Sequence, residues 1–242
     1  MSTEVAVIRV RGLAVQIVRK DIKNLHLGVY PPNGRVRVAV PLAVSDEAVR
    51  LAVISRLGWV KRQRARFAAQ YRQSAREMVS GESHYFLGRR YRLRVIVDSG
   101  ANKVVLRSNA TLDLYVHAGA DTDNRRRVLL RWYRQELRAL VPRLLAKWQP
   151  VVGVRVADWR IRKMKTKWGS CNIGASRVWF NLELAKKPVR CLEYVVVHEL
   201  LHLLEPHHTV RFRSLLDEFM PRWRMAQEEL KSSPLSHEEW QE

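Results

Sequence analysis

Val195-Val196-Val197-His198-Glu199-Leu200-Leu201-His202 decides the reading of this sequence. It sets His-Glu-x-x-His inside an apolar run. On a helix, residues four apart share a face, so His198 and His202 can grip one metal ion with Glu199 projecting beside it. With 8 histidines among 242 residues, composition allows about 0.02 accidental matches to that pattern. Pro188 suits an early helix position, and Val189 to Leu204 is one helix-length segment. Neutral imidazole suits zinc, and a catalytic zinc site needs three protein ligands and one open position for water. Zinc lowers the pKa of such a water to about 7. Glu199 stands where a general base would take the proton.

A third ligand must follow. Pro206 disfavours helix at Glu205, and the chain then offers His207 and His208. His208 lies ten positions after His198, the spacing of the third histidine in the longer zinc motif. His207 is one residue out of phase; Glu205 and Asp217 are the acidic rivals. A helix starting at Thr209 is expected to pack Phe212, Leu215, Leu216 and Phe219 toward the core.

Upstream, a strand ending in Trp168-Gly169-Ser170 is expected beside the metal. Its edge would accept a substrate peptide through backbone hydrogen bonds. Gly169 would allow close approach, and Ser170 or Asn172 would polarise a carbonyl. The alternative is a core Trp168 and a bulge at Gly169.

These segments resemble a known family. Arg162-Lys163-Met164-Lys165-Thr166-Lys167-Trp168-Gly169-Ser170-Cys171 is similar to the R-x-M-K-T-x-W-G-S-C signature of YgjP-like metallopeptidases. Val178 to Leu184 resembles that family's I-x-L-N-x-x-L hairpin, and Glu193 to His202 its helix. His208 and Phe212 match its later N-H-x-x-x-F. The resemblance implies an α+β, zincin-like fold. It carries metal ligation onto His198, His202 and His208 and the base role onto Glu199. It also implies one Zn2+ per chain and a peptide or protein substrate. His207 stands where the family usually has Asn, and Arg213 where an aromatic residue often follows Phe212. Nucleotide pyrophosphatase activity has also been attached to the family name, so hydrolysis of a nucleotide or other phosphate ester at the same site is the alternative.

Charge is the other outlying feature. Lys plus Arg is 44 against 23 Asp plus Glu, a net charge of +21. Arg outnumbers Lys 33 to 11, and the last 42 residues net −3. This excludes an acidic binding protein and raises a third reading, a protease recruited to DNA or RNA by its basic N-terminal region. Lys61-Arg62-Gln63-Arg64-Ala65-Arg66 and Arg125-Arg126-Arg127 are the densest groupings. The alternatives are a solvated basic surface and a codon bias toward Arg.

The remainder reads as strands over residues 4–19 and Arg35–Val40, with a turn cluster over Tyr30–Gly34. A helix from Ser45 runs through Tyr71, broken near Gly58. A hairpin spans Tyr85–Val97, and strands follow at Lys103–Ser108 and Thr111–Val116. A helix capped near Asp121 then crosses Pro142. No internal repeat is evident. A seam near Gln149-Pro150 would separate a basic region, 1–150, from a catalytic region, 151–242, unless the two form one integrated domain. No secretory signal is expected, and no stretch approaches the ~18 apolar residues of a spanning helix. Cys171 and Cys191 read as reduced thiols of a cytoplasmic protein.

Overall fold

The computed structural model describes residues 5–30, 34–69, 76–108, 110–164 and 166–232. It has an α+β architecture, with six helices and three sheets among these residues. Two compact units divide between Gln73 and Ser74. No helix among the described residues is long and apolar enough to cross a membrane.

In the first unit, β1 (Val5–Val10) and β2 (Leu13–Lys20) form a hairpin through Arg11-Gly12. Both turn residues have positive φ, 47° and 78°, the type I′ geometry that matches strand twist. With β3 (His26–Tyr30) and β4 (Arg35–Pro41) the sheet order is β1-β2-β4-β3. Pro31 to Asn33 of the expected turn cluster lie outside the described residues. Alternation buries Val15, Ile17, Val36, Val38 and Val40 against Val49, Val53 and Val60. The last three lie on α1 (Asp46–Ser55), capped by the Ser45 hydroxyl, and α2 (Leu57–Ala69). The helix breaks at Arg56, two residues before Gly58, where the Arg56 N–H bonds back to the Val53 carbonyl. The expected extension to Tyr71 lies outside the described residues.

The second unit repeats this topology. β5 (Ser83–Phe86), β6 (Arg89–Val97), β7 (Lys103–Leu106) and β8 (Thr111–Val116) form a sheet of order β5-β6-β8-β7. In both sheets the first and last pairings are antiparallel and the central one is parallel. Buried Val36, Val38 and Val40 correspond to buried Leu112, Leu114 and Val116, and the helix cap Ser45 to the cap Asp121, each 76 residues on. This corrects the expectation of no internal repeat. The matched residues share chemistry but not identity.

α3 (Thr122–Val152) follows as one 31-residue helix, ended by Gly153 in the left-handed region. Pro142, Gln149 and Pro150 all lie within it. Its apolar residues, among them Trp132, Tyr133, Leu137, Leu145 and Trp148, join the main core.

The last layer carries β9 (Asp158–Arg162), β10 (Gly169–Asn172) and β11 (Arg177–Asn181) in the order β10-β11-β9. A 3-10 turn (Leu182–Lys186) then leads into α4 (Val189–Leu201), α5 (Val210–Phe219) and α6 (Trp223–Ser232). The tip of the β5–β6 hairpin docks on this layer. Leu87 N–H bonds to the Ala185 carbonyl at 2.8 Å, and a side chain at Gly88 would strike the Pro188 ring. Gly88 also has φ +81°, so glycine is required on both counts.

The strand expected to end at Trp168-Gly169-Ser170 instead begins at Gly169. Asn181 holds the preceding segment in a loop. Its side-chain N–H groups donate to the Met164 and Lys167 carbonyls, both at 2.7 Å, and its Oδ1 accepts from Met164 and Glu183 N–H. Asn181 is fully buried, and so is Glu183, whose N–H it accepts. Asn181→Ala is expected to cost about 2–4 kcal/mol through the polar groups it would orphan. Denaturant unfolding measures this.

Candidate metal centre

α4 is buried along most of its length. Cys191, Leu192, Val195, Val196, Val197, Leu200 and Leu201 all join the core. That packing fixes its rotation and aims His198, Glu199 and His202 from its C-terminal end. The helix stops at Leu201, three residues earlier than expected, because Leu203, Leu204 and Glu205 N–H groups turn back onto the Leu200 and Leu201 carbonyls. The chain reverses through Pro206 and re-enters helix at Thr209, whose hydroxyl caps α5 by accepting from Phe212 N–H at 3.2 Å. His208 immediately precedes that cap.

The structure brings His198, His202 and His208 together, with one ring nitrogen from each within 4.8 Å of the others. Phe212 lies against all three rings, at centroid distances of 4.9–5.0 Å. His207 is outside the cluster, and Asp217 is engaged by Trp223 Nε1 at 2.8 Å and by Arg224. Cys171 and Cys191 are free thiols, pushed up to about 11 and about 12 chiefly by burial.

Four observations test these residues against a zinc ion. The Nε2 atoms of His198 and His208 stand 3.0 Å apart. Ligands on a tetrahedron with bonds of about 2.0–2.1 Å are about 3.3–3.4 Å apart, so a shift of a few tenths of an ångström admits the ion. Burial, then the neighbouring histidines, drives the His198 pKa down to about 3, and burial lowers that of His202. Both shifts favour neutral imidazoles, the form that ligates metal. Their other nitrogens are held. His198 Nδ1 lies 3.5 Å from Tyr194 Oη, which accepts from Gln227 Nε2, and His202 Nδ1 lies 3.3 Å from the Glu205 carbonyl. A donor N–H at Nδ1 leaves Nε2 for the ion. Finally, Glu199 is 4 % exposed and its Oε2 has no hydrogen-bond partner. Burial raises its pKa to about 8, against a smaller lowering from Lys167. A cation on the three imidazoles would favour the carboxylate. The donor set fits zinc.

The other sequence-derived candidates divide. Gly169 lies against Glu199, and a Cβ there would overlap the carboxylate. Ser170 is half-buried on β10. Trp168 sits under the Lys187 ammonium, 5.7 Å from its ring centre, and its carbonyl accepts from Asn181 N–H. Asn172 is turned to the hairpin, where its Oδ1 accepts from Ala175 N–H at 3.1 Å. Tyr194 and Gln227 were not singled out from sequence. Tyr194 lies four residues before His198 on the same helix face, a signal available for it alone.

Helix, turn and converging imidazoles form a group that could hold a metal ion. A sequence model of the YgjP-like metallopeptidase domain matches residues 23–233, and the chain belongs to that family. It is a metal-dependent hydrolase that acts on peptides or proteins. Among solved structures it is similar to the metallopeptidase zymogen of Pyrococcus abyssi abylysin, at 19% identity and TM-score 0.35, over 37% of this chain and 90% of that one. No curated protein matches it.

His208→Ala removes an exposed side chain. It should lower zinc affinity by more than the 10–100-fold that loss of an outer-sphere partner costs, with the far-UV circular dichroism unchanged. Metal content after dialysis reads the first, and the spectrum reads the second.

Proposed function

We propose that the chain is a zinc metallopeptidase that holds one Zn2+ on His198, His202 and His208 and uses Glu199 as general base. The observation that carries this is the convergence of three imidazole nitrogens within 4.8 Å of one another; the buried, unpartnered Glu199 Oε2, on the residue next in the chain to His198, supports it. Bound zinc would supply Lewis acidity, both to a substrate carbonyl and to a water whose pKa it brings to about 7.

The protein's own groups would do the rest. Glu199 takes a proton from the attacking water and returns it to the leaving amine. Its burial beside Gly169 keeps bulk water from competing for that carboxylate. β10 is an edge strand, with β11 on one side and no strand on the other among the described residues. A substrate peptide added to that open edge would lie next to Gly169, and so next to Glu199. The free cysteines suit a cytoplasmic setting.

Glu199→Gln keeps the shape and removes the base. It is expected to retain zinc at about one ion per chain and to lower kcat on a peptide panel by at least 10²–10⁴-fold. Undiminished peptide hydrolysis would overturn the assignment of Glu199. Pyrophosphate release from nucleoside triphosphates, with no peptide cleaved, would move the substrate to phosphate esters.

Gly169→Ala tests the neighbouring wall. The backbone at 169 is ordinary, so alanine fits the strand, but its methyl must displace the Glu199 carboxylate. Zinc content is expected to hold while kcat falls at least tenfold, read by metal analysis and steady-state kinetics.

A further inference from the structure

Four arginines of α3, Arg127, Arg131, Arg134 and Arg138, share an arc of about 60° at 3.6 residues per turn. They span about 16 Å of helix axis. Arg127, Arg131 and Arg138 are exposed, and Arg134 is half-buried. Among the described residues none of the four is ion-paired or hydrogen-bonded. Of the helix's two acidic residues, Asp123 lies one turn before Arg127 and pairs with Arg126 at 3.0 Å, and Glu136 lies about 180° round the helix.

The topological repeat supplies an internal comparison. Positions 76 residues before Arg127, Arg131 and Arg134 are Leu51, Ser55 and Gly58, on α1 and α2 of the first unit, and the position before Arg138 is Arg62. Arginine-rich composition acts on both units alike, so it does not explain why all four positions are arginine in α3 and one of the four in the first unit.

Arg134 also lines a cavity of about 520 Å³, shared with Arg162, Lys163, Ser170 and Trp179. No carboxylate lines it. The guanidiniums of Arg162 and Arg177 lie 5.7 and 6.0 Å from the Trp179 ring centre. An evenly charged strip that borders an aromatic wall matches one polyanion better than others. Arg forks onto phosphate oxygens. An unpaired base offers a π-face to an indole or a guanidinium plane. A duplex keeps its bases stacked inside, and an acidic peptide would leave the indole without a matching group.

We propose that the Arg127–Arg138 face of α3, with the cavity beside it, binds single-stranded nucleic acid: the arginines take successive backbone phosphates and Trp179 takes an unpaired base. This binding goes beyond the peptidase reading and does not rest on it.

Fluorescence anisotropy of the full chain with a labelled 15-nucleotide single strand tests the proposal, over salt from 50 to 200 mM. The triple variant Arg127→Gln/Arg131→Gln/Arg138→Gln should bind more weakly and flatten the slope of log K against log salt by about 2, at about 0.7 for each phosphate no longer neutralised. A control variant, Arg89→Gln/Arg90→Gln/Arg92→Gln, removes the same charge from exposed positions on β6 and should keep most of the affinity. An abasic strand of equal length should bind several-fold more weakly than the normal one to the wild type, and this difference should vanish in Trp179→Leu/Arg162→Gln. Equal weakening in the stripe and control variants would overturn the proposal in favour of diffuse charge. Equal competition by polyglutamate would overturn it in favour of an acidic peptide, and preference for a duplex would overturn the single-strand assignment.

Discussion

The absence of a side chain at Gly169 is the constraint on which the site depends. The Glu199 carboxylate occupies the volume a Cβ would take. α4 and β10 can approach only because that volume is free, and their approach buries Glu199 while leaving Oε2 without a partner. A buried, unpartnered carboxyl group is costly. Here the cost is localised on one atom of the residue that follows His198, and a nearby cation would relieve it. The geometry of the helix end acts in the same direction. His198 is in the last turn of α4 and His202 is its C-cap, where the helix dipole favours positive charge.

α3 sets the distance between the layers that hold this arrangement. It contacts β7 and β8 of the preceding sheet, and β9, the 3-10 turn and α4 of the catalytic layer. Its buried face rotates along its length, from Val128 and Trp132 near the start to Leu145, Trp148 and Val152 near the end. Lys147 and Trp148 both reach Glu193 on α4, at 2.6 and 2.9 Å, and tie the strut to the helix that carries the histidines. Interior proline interrupts a helix hydrogen bond and disfavours the fold locally by about 3 kcal/mol or more. α3 continues through Pro142 and Pro150 because buried Val141 and Leu145 bracket the first, and Trp148 and Val152 the second, in the main core.

What was legible in the sequence was local. The four-residue spacing of His198 and His202, the stop at Pro206 and the ten-residue step to His208 all describe a few turns of one chain segment. The caps at Ser45, Asp121 and Thr209 were legible for the same reason, since each acts on a backbone N–H three residues away. What was not legible required contact between distant segments. Gln227 reaches Tyr194 across 33 positions, and Asn181 closes the loop that carries Lys167. β3 was missed because His26–Tyr30 has no clean alternation. The repeat was hidden because a buried strand position accepts Val or Leu alike, and a helix cap accepts Ser or Asp alike. A seam near Gln149-Pro150 followed the usual reading of proline as punctuation, and packing overrides it inside α3.

The charge of +21 is divided by function once partners are counted. Arg94 and Arg107 both bind Asp113, which is fully buried in the second sheet and whose carboxyl they hold below the ordinary range. Arg190 binds Glu229, and Arg224 binds Asp217. These cations are consumed by the fold. Arg127, Arg131, Arg134 and Arg138 are not. Successive members stand four, three and four residues apart, and like charges at such spacings disfavour a helix by about 0.2–0.5 kcal/mol per pair. Three such pairs weaken α3 by roughly 0.6–1.5 kcal/mol, in the helix that spaces the catalytic layer from the sheet before it. Asp123, four residues before Arg127, is the one acidic residue of α3 near the stripe and offsets it at that end alone; an anion lying along the stripe would remove the rest.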